Sequence, residues 1–122
     1  MPHTVLIIED DERLRSDIVM VLGFEDFRTL AAENGQIGVE LAFQQHPDVI
    51  LCDVMMPEMD GFEVFEALHR EPETADIPFI FLTASVEREN LEKAHEMGAS
   101  GFLTKPFTYP DLLEAIRARI GE

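Results

Sequence analysis

The stretch Val49-Ile50-Leu51-Cys52-Asp53-Val54-Met55-Met56-Pro57-Glu58-Met59-Asp60-Gly61 decides the fold. Its first four residues are apolar without alternation, the pattern of a strand covered on both faces, as in a parallel sheet. Pro57 and the pair Asp60-Gly61 then mark a loop, and Phe62, Phe65 and Leu68 recur at helical spacing, so the order is strand, loop, helix. Asp53 is thereby placed at the carboxyl end of a strand. Open parallel α/β sheets bind ligands at that edge, because strand ends and helix N-termini converge there.

Three further polar groups follow apolar runs in the same way. Val5-Leu6-Ile7-Ile8 leads into Glu9-Asp10-Asp11, residues 77–82 end at Thr83-Ala84, and Gly101-Phe102-Leu103-Thr104 leads into Lys105-Pro106. Four strand ends thus offer two acidic positions, a hydroxyl and an ammonium.

Between these runs lie the helices. Leu14, Ile18, Val19 and Leu22 recur at a helical period, with Gly23 as the expected stop. Arg28-Thr29-Leu30-Ala31-Ala32 reads as a weaker strand, followed by Asn34 as N-cap and by Ile37 and Leu41 on one helix face ending at His46-Pro47. Asp60 and Glu63 stand at capping-box spacing before the Phe62, Phe65, Leu68 face. A fourth strand is expected over residues 77–83, and a fourth helix over residues 87–97 with Gly98 at its end. Leu91, Ala94 and Met97 are the apolar stripe of that helix, which predicts shallow packing and some freedom to shift. A fifth strand over residues 100–104 precedes a helix entered through Thr108 and Asp111, with Leu112, Leu113, Ile116 and Ile120 inward. Five strand-helix repeats imply a parallel sheet with helices on both faces.

Size and composition bound the function. A chain of 122 residues suits one domain over residues 1–122, and 46% hydrophobic with 28% charged residues argues against disorder. No apolar run approaches the roughly 20 residues needed to cross a bilayer, and the N-terminal run lacks the features of a secretory signal, so a cytoplasmic protein without membrane association is expected. The net charge of −16 repels a phosphate backbone, which excludes direct nucleic-acid binding by this domain as the expected role. Cys52 is the single cysteine, so neither an intrachain disulfide nor a thiolate metal cluster is supported, and it reads as a small core residue. His3, His46, His69 and His95 show no metal-ligand spacing. Glu87, Glu89, Glu92 and Glu96 read as a solvated helix face, and Met55, Met56 and Met59 as loop and edge packing.

If Glu9, Asp10 and Asp53 converge, their repulsion demands a cation. Two like charges about 4 Å apart cost on the order of 1 kcal/mol in water and about 4 kcal/mol at an intermediate dielectric. Ligation by oxygen alone from few carboxylates suits Mg²⁺, which keeps several waters and shares a substrate phosphate. Lys105 adds a second positive charge and Thr83 a hydroxyl donor. A carboxylate so placed can attack a phosphoryl group to form an acyl phosphate, with charge on the equatorial oxygens neutralised by its neighbours.

These residues together resemble the receiver domain of two-component response regulators, the CheY-like family, over essentially the whole chain. The resemblance rests on the acidic pair after the first strand, the Asp53-x-x-x-Pro57-x-x-Asp60-Gly61 block, Thr83-Ala84 and Lys105-Pro106-Phe107. Each piece is weak alone, and all four in order are highly specific. The resemblance implies a flavodoxin-like (βα)5 doubly wound sheet of strand order 2-1-3-4-5. It also implies Mg²⁺-dependent (or Mn²⁺-dependent) phosphorylation from the phosphohistidine of a sensor histidine kinase or phosphotransfer protein. Signalling to a downstream effector or fused output domain would run through the face of the fourth helix, fifth strand and fifth helix.

Carried over residue by residue, the resemblance implies that Asp53 is the phospho-acceptor and Asp10 a direct metal ligand. Glu9 would act through a metal-bound water, and the main-chain carbonyl of Met55 would complete the protein's share of coordination. Thr83 would be the switch hydroxyl and Phe102 the switch aromatic, Lys105 would pair with the phosphoryl group, and the Lys105-Pro106 bond would be cis. Three acids stand where the family pattern needs a pair; the two that directly follow the strand are assigned to the site, leaving Asp11 as N-cap of the first helix. Phe102 lacks a hydroxyl, which speaks against an output that needs a tyrosine hydrogen bond there. Homodimerisation through the fourth and fifth helices is compatible with the sequence, though nothing demands it.

Two other functions share parts of this pattern. A phosphotransferase or phosphatase of the haloacid dehalogenase type places a second acid two residues after its aspartate, where this chain has Met55. A flavodoxin needs a phosphate-cradling loop rich in Ser, Thr and Gly after the first strand, where this chain has acids. The expected protein is therefore a signalling domain that catalyses only its own phosphorylation and dephosphorylation.

Overall fold

Strands and helices alternate along the chain: β1 (Thr4–Ile8), α1 (Glu12–Phe24), β2 (Arg28–Ala32), α2 (Gly35–Gln45), β3 (Val49–Asp53), α3 (Gly61–His69), β4 (Phe79–Thr83), α4 (Arg88–Glu96), β5 (Gly101–Thr104) and α5 (Tyr109–Ile120). The computed structural model describes residues 2–84 and 88–121, without the side chains of residues 88–91. The strands form one parallel sheet in the order β2-β1-β3-β4-β5, the expected flavodoxin-like arrangement. No helix among the described residues is long and apolar enough to cross a membrane.

Successive strand residues point to opposite faces, so each continuous apolar run supplies two cores. Leu6, Ile8, Ile50, Cys52, Phe79 and Phe81 pack with Val64, Phe65 and Leu68 of α3, Ala42 of α2 and Ala94 of α4. Val5, Ile7, Val49, Leu51, Ile80 and Leu82 pack on the other side with Ile18 and Leu22 of α1 and Leu112 and Ile116 of α5. Cys52 is a buried free thiol, as expected of a core residue.

Local chemistry sets most element boundaries. Asp11 caps α1 by accepting from the N–H groups of Arg13 and Leu14, Asn34 caps α2 through Ile37, and Asp60 and Glu63 form a reciprocal capping box on α3. Thr108 caps α5 by accepting from the Asp111 N–H. Several expected boundaries move. Gly23 does not stop α1, which continues to Phe24; the left-handed residue that turns the chain is Asp26. Residues 77 and 78 lie outside β4, because the Ile77 N–H is used in a turn to Thr74 and Pro78 has none to give. Ser100 lies outside β5, bracing its neighbour by accepting the Phe79 N–H on its hydroxyl at 3.1 Å.

The inward face of α2 also differs from expectation. Its buried residues are Gly35, Gly38 and Ala42, with Ile37 and Leu41 only partly buried beside them. A Cβ on Gly38 would come within 2.7 Å of Ile8 Cγ1, so small residues let α2 lie close on β1. The expected helix start at Glu87, and the side chains of Glu89 and Leu91, lie outside the described residues. Across residues 92–96 of α4 only Ala94 is buried, consistent with shallow packing.

Candidate functional site

Register brings the strand ends to one edge. Ile8 pairs with Cys52, Asp53 with Leu82 and Thr83 with Thr104. Glu9, Asp53, Thr83 and Lys105 therefore occupy adjoining positions at the carboxyl edge.

Asp53 closes β3 and is 5% exposed. The Val54 carbonyl just beyond it accepts the N–H of Gly61, the first residue of α3, at 2.9 Å. A Cβ on Gly61 would collide with the Asp53 carbonyl oxygen and lie 2.9 Å from Val54 Cα. Glycine at this position is what lets the N-terminus of α3 press against the backbone of Asp53 and Val54.

Glu9 is fully buried and held at every polar atom. Its N–H donates to the Ala32 carbonyl at 3.1 Å, and its own carbonyl accepts from Arg15 Nη1 at 2.8 Å. Oε1 accepts from Lys105 Nζ at 2.6 Å and Oε2 from the Asp11 N–H at 3.4 Å. Lys105 Nζ also lies 3.2 Å from Asp53 Oδ1, bridging two carboxylates.

Carboxylate oxygens of Glu9, Asp10 and Asp53 lie within 4.8 Å of one another, with Asp10 the exposed member. The donor set is oxygen alone, which fits a hard cation such as Mg²⁺ or Mn²⁺ and not a thiolate or imidazole metal. The four histidines take no part in this group. Burial pushes the Glu9 carboxyl up to about 7; Lys105 pulls it down and Asp53 adds to the rise. Burial works against the Lys105 ammonium, but its hydrogen bonds and charge attraction to Glu9 and Asp53 outweigh that and hold it above its usual range.

Thr83 ends β4 at 1% exposure, and its carbonyl accepts the Lys105 N–H at 2.7 Å. The Lys105-Pro106 bond is cis, as the resemblance implied. Phe102 stands apart from this cluster, 43% exposed on β5 beside Glu92, His95 and Glu96 of α4. Met55 is 66% exposed in the loop between β3 and α3. Met56, expected as loop or edge packing, is buried in the core. Arg15 was not legible beforehand; the one sequence signal for it is a basic residue in the first turn after the acids.

A doubly wound α/β domain with a lysine-bridged acidic cluster at its carboxyl edge is the class of protein that the fold and site define. Residues 5–117 match the response regulator receiver domain family, and the chain belongs to it. It is 34% identical over 125 residues to the polar-differentiation response regulator DivK of Brucella anthropi, covering 100% of this chain and 99% of DivK. It is 40% identical over 119 residues to the DNA-binding dual master transcriptional regulator RpaA of Synechocystis, covering 97% of this chain and 48% of RpaA. The chain thus spans about half the length of that relative. The receiver domain of a sensor histidine kinase from Pseudomonas aeruginosa superposes with a TM-score of 0.91 at 25% identity over the full length of both chains. That domain carries a magnesium ion in its active site cleft.

Proposed function

We propose that residues 1–122 form one phosphorylation-operated switch whose only catalysis is on itself. Asp53 accepts a phosphoryl group from the phosphohistidine of a sensor histidine kinase or phosphotransfer protein; Asp10, Asp53 and the Met55 carbonyl would hold Mg²⁺ directly, with Glu9 acting through a water on the ion. The observation that carries this reading is the Lys105 ammonium set between Glu9 and Asp53, 2.6 Å from one and 3.2 Å from the other. An aspartate left to act as a mere structural ion-pair partner would need no second and third acid beside it.

One Asp53 carboxylate oxygen forms the new bond to phosphorus as the phosphorus–nitrogen bond of the donor breaks, and the released imidazole takes a proton from solvent. Mg²⁺, when bound, supplies positive charge against the equatorial phosphoryl oxygens. Lys105 pairs with one of those oxygens, and the Thr83 hydroxyl turns to donate to another. Hydrolysis reverses the state when water attacks phosphorus and Asp53 leaves as a carboxylate.

The modified site changes the face made by α4, β5 and α5, where Phe102 is exposed, and so controls an effector protein or fused output domain. Moving such an equilibrium from mostly inactive to mostly active takes a differential of roughly 5 kcal/mol. A cytoplasmic location and homodimerisation through that face belong to the same proposal. Treatment with acetyl phosphate and Mg²⁺ followed by borohydride reduction tests the acceptor: an aspartyl phosphate becomes homoserine, expected at position 53 by peptide mass mapping. Homoserine at another acidic position would overturn the assignment.

A further inference from the structure

The first turn of α1 reaches back over the acidic loop. Arg15 Nη1 donates to the Glu9 carbonyl at 2.8 Å, and the Arg15 main-chain N–H donates to the Asp11 carbonyl at 2.9 Å. Asp10 lies between those two carbonyls, so one residue ties both ends of the turn that carries it. The Asp11 carboxylate adds to the hold by accepting from the Arg13 and Leu14 N–H groups at 3.0 and 3.2 Å. Asp10 itself is exposed, so the direction of its carboxylate depends on the backbone beneath it.

We propose that Arg15 is a positioning residue for divalent-cation binding: it fixes the peptide between Glu9 and Asp10 and so aims the Asp10 carboxylate into the gap shared with Glu9 and Asp53. This inference rests on the Mg²⁺-dependent switch described above. Groups that orient metal ligands through a hydrogen bond contribute to affinity without touching the ion.

Arg15 also carries a positive charge, and the two roles act with opposite sign. As a bystander charge it repels an incoming cation, so its removal tightens binding. As a positioning residue it holds a ligand in place, so its removal loosens binding. A residue that serves helix stability alone changes unfolding and leaves the affinity of the folded protein where it was.

Calorimetric titration with MgCl2, in the absence of any phosphoryl donor, separates these roles when run on the native chain, Arg15→Met and Arg15→Lys. Urea unfolding of each without Mg²⁺ accompanies it. Arg15→Met keeps the aliphatic stem and loses the donor; its Kd is expected to rise about 10-fold, the lower end for loss of a ligand-orienting group. Arg15→Lys keeps a donor and the charge and is expected to recover part of that loss. An unchanged or lower Kd in Arg15→Met overturns the positioning role, whatever the urea midpoint does. Should Arg15→Met not fold, Arg15→Gln enters the same comparison with the same two outcomes. A native chain that takes up no Mg²⁺ overturns the switch reading and this inference with it, whereas equal binding by native and variant overturns the role of Arg15 alone.

Discussion

Lys105 Nζ donates to Glu9 Oε1 at 2.6 Å, with the Glu9 side chain fully buried and that of Lys105 20% exposed. The pair joins the first strand-helix connection to the last. Charge at one end of the chain is therefore answered by charge at the other, and Asp53 sits between them within reach of the same ammonium.

Lys105→Ala leaves a buried carboxylate without its cation beside another acid. Breaking a fully buried pair costs roughly 3–5 kcal/mol, and water reaching Lys105 brings the expected loss to about 2 kcal/mol at pH 8. At pH 5 the loss is expected to be smaller, because Glu9, with a pKa raised to about 7, is then protonated and only the contact with Asp53 remains to be lost. Urea unfolding of both proteins at the two pH values checks this; an equal loss at both would contradict it.

The same carboxyl is expected to give the protein a pH-dependent stability when no metal is present. A group whose folded pKa is raised from 4.5 to about 7 contributes stability that is fully present below 4.5 and lost as pH rises through about 7. Lys105, held above its ordinary range, keeps its proton throughout that window. Stability in a chelating buffer is expected to fall across this range in the native chain and to flatten there in Glu9→Gln. A slope of the same size in both proteins would assign it to other groups.

Gly61→Ala puts a methyl group against the backbone of Asp53 and Val54. Alanine is the better helix former by about 0.5–1 kcal/mol, but overpacking against main chain costs typically 1–3 kcal/mol. A net loss of about 1–2 kcal/mol in urea is expected, together with slower phosphorylation as Asp53 is displaced. Unchanged stability and unchanged labelling would show that the backbone yields without cost.

Thr83→Ala is expected to keep phosphate incorporation and lose the response of the face made by α4, β5 and α5. Amide chemical shifts of β5 and α5 before and after acetyl phosphate report that response. Full shifts in the variant would remove the hydroxyl from the switching step.

The strands and the acidic edge were legible because of what parallel sheets require. Residues such as Leu51 and Cys52 face two covered sides and so read as an unbroken apolar run, after which Asp53 stands out. Lys105 and Glu9 are 96 positions apart, and their meeting could be inferred only from both following apolar runs that end at one edge. The inward face of α2 was hidden because Gly35 and Gly38 carry no hydropathy signal; their role is the close approach to Val64 and Ile8. The limits of β4 and β5 moved because Ile77 spends its N–H in a turn, Pro78 has none, and Ser100 accepts on its hydroxyl, none of which a run of apolar residues encodes. Arg15 was hidden for a similar reason: its partner is a main-chain carbonyl, which every residue possesses.

The most direct measurement is intact mass after incubation with acetyl phosphate, with and without Mg²⁺, on the native chain and on Asp53→Asn. A gain of one phosphoryl group that requires Mg²⁺ and is absent from Asp53→Asn is the expected result. Equal incorporation by Asp53→Asn, or incorporation indifferent to Mg²⁺, would contradict the assignment of Asp53 as the metal-assisted acceptor.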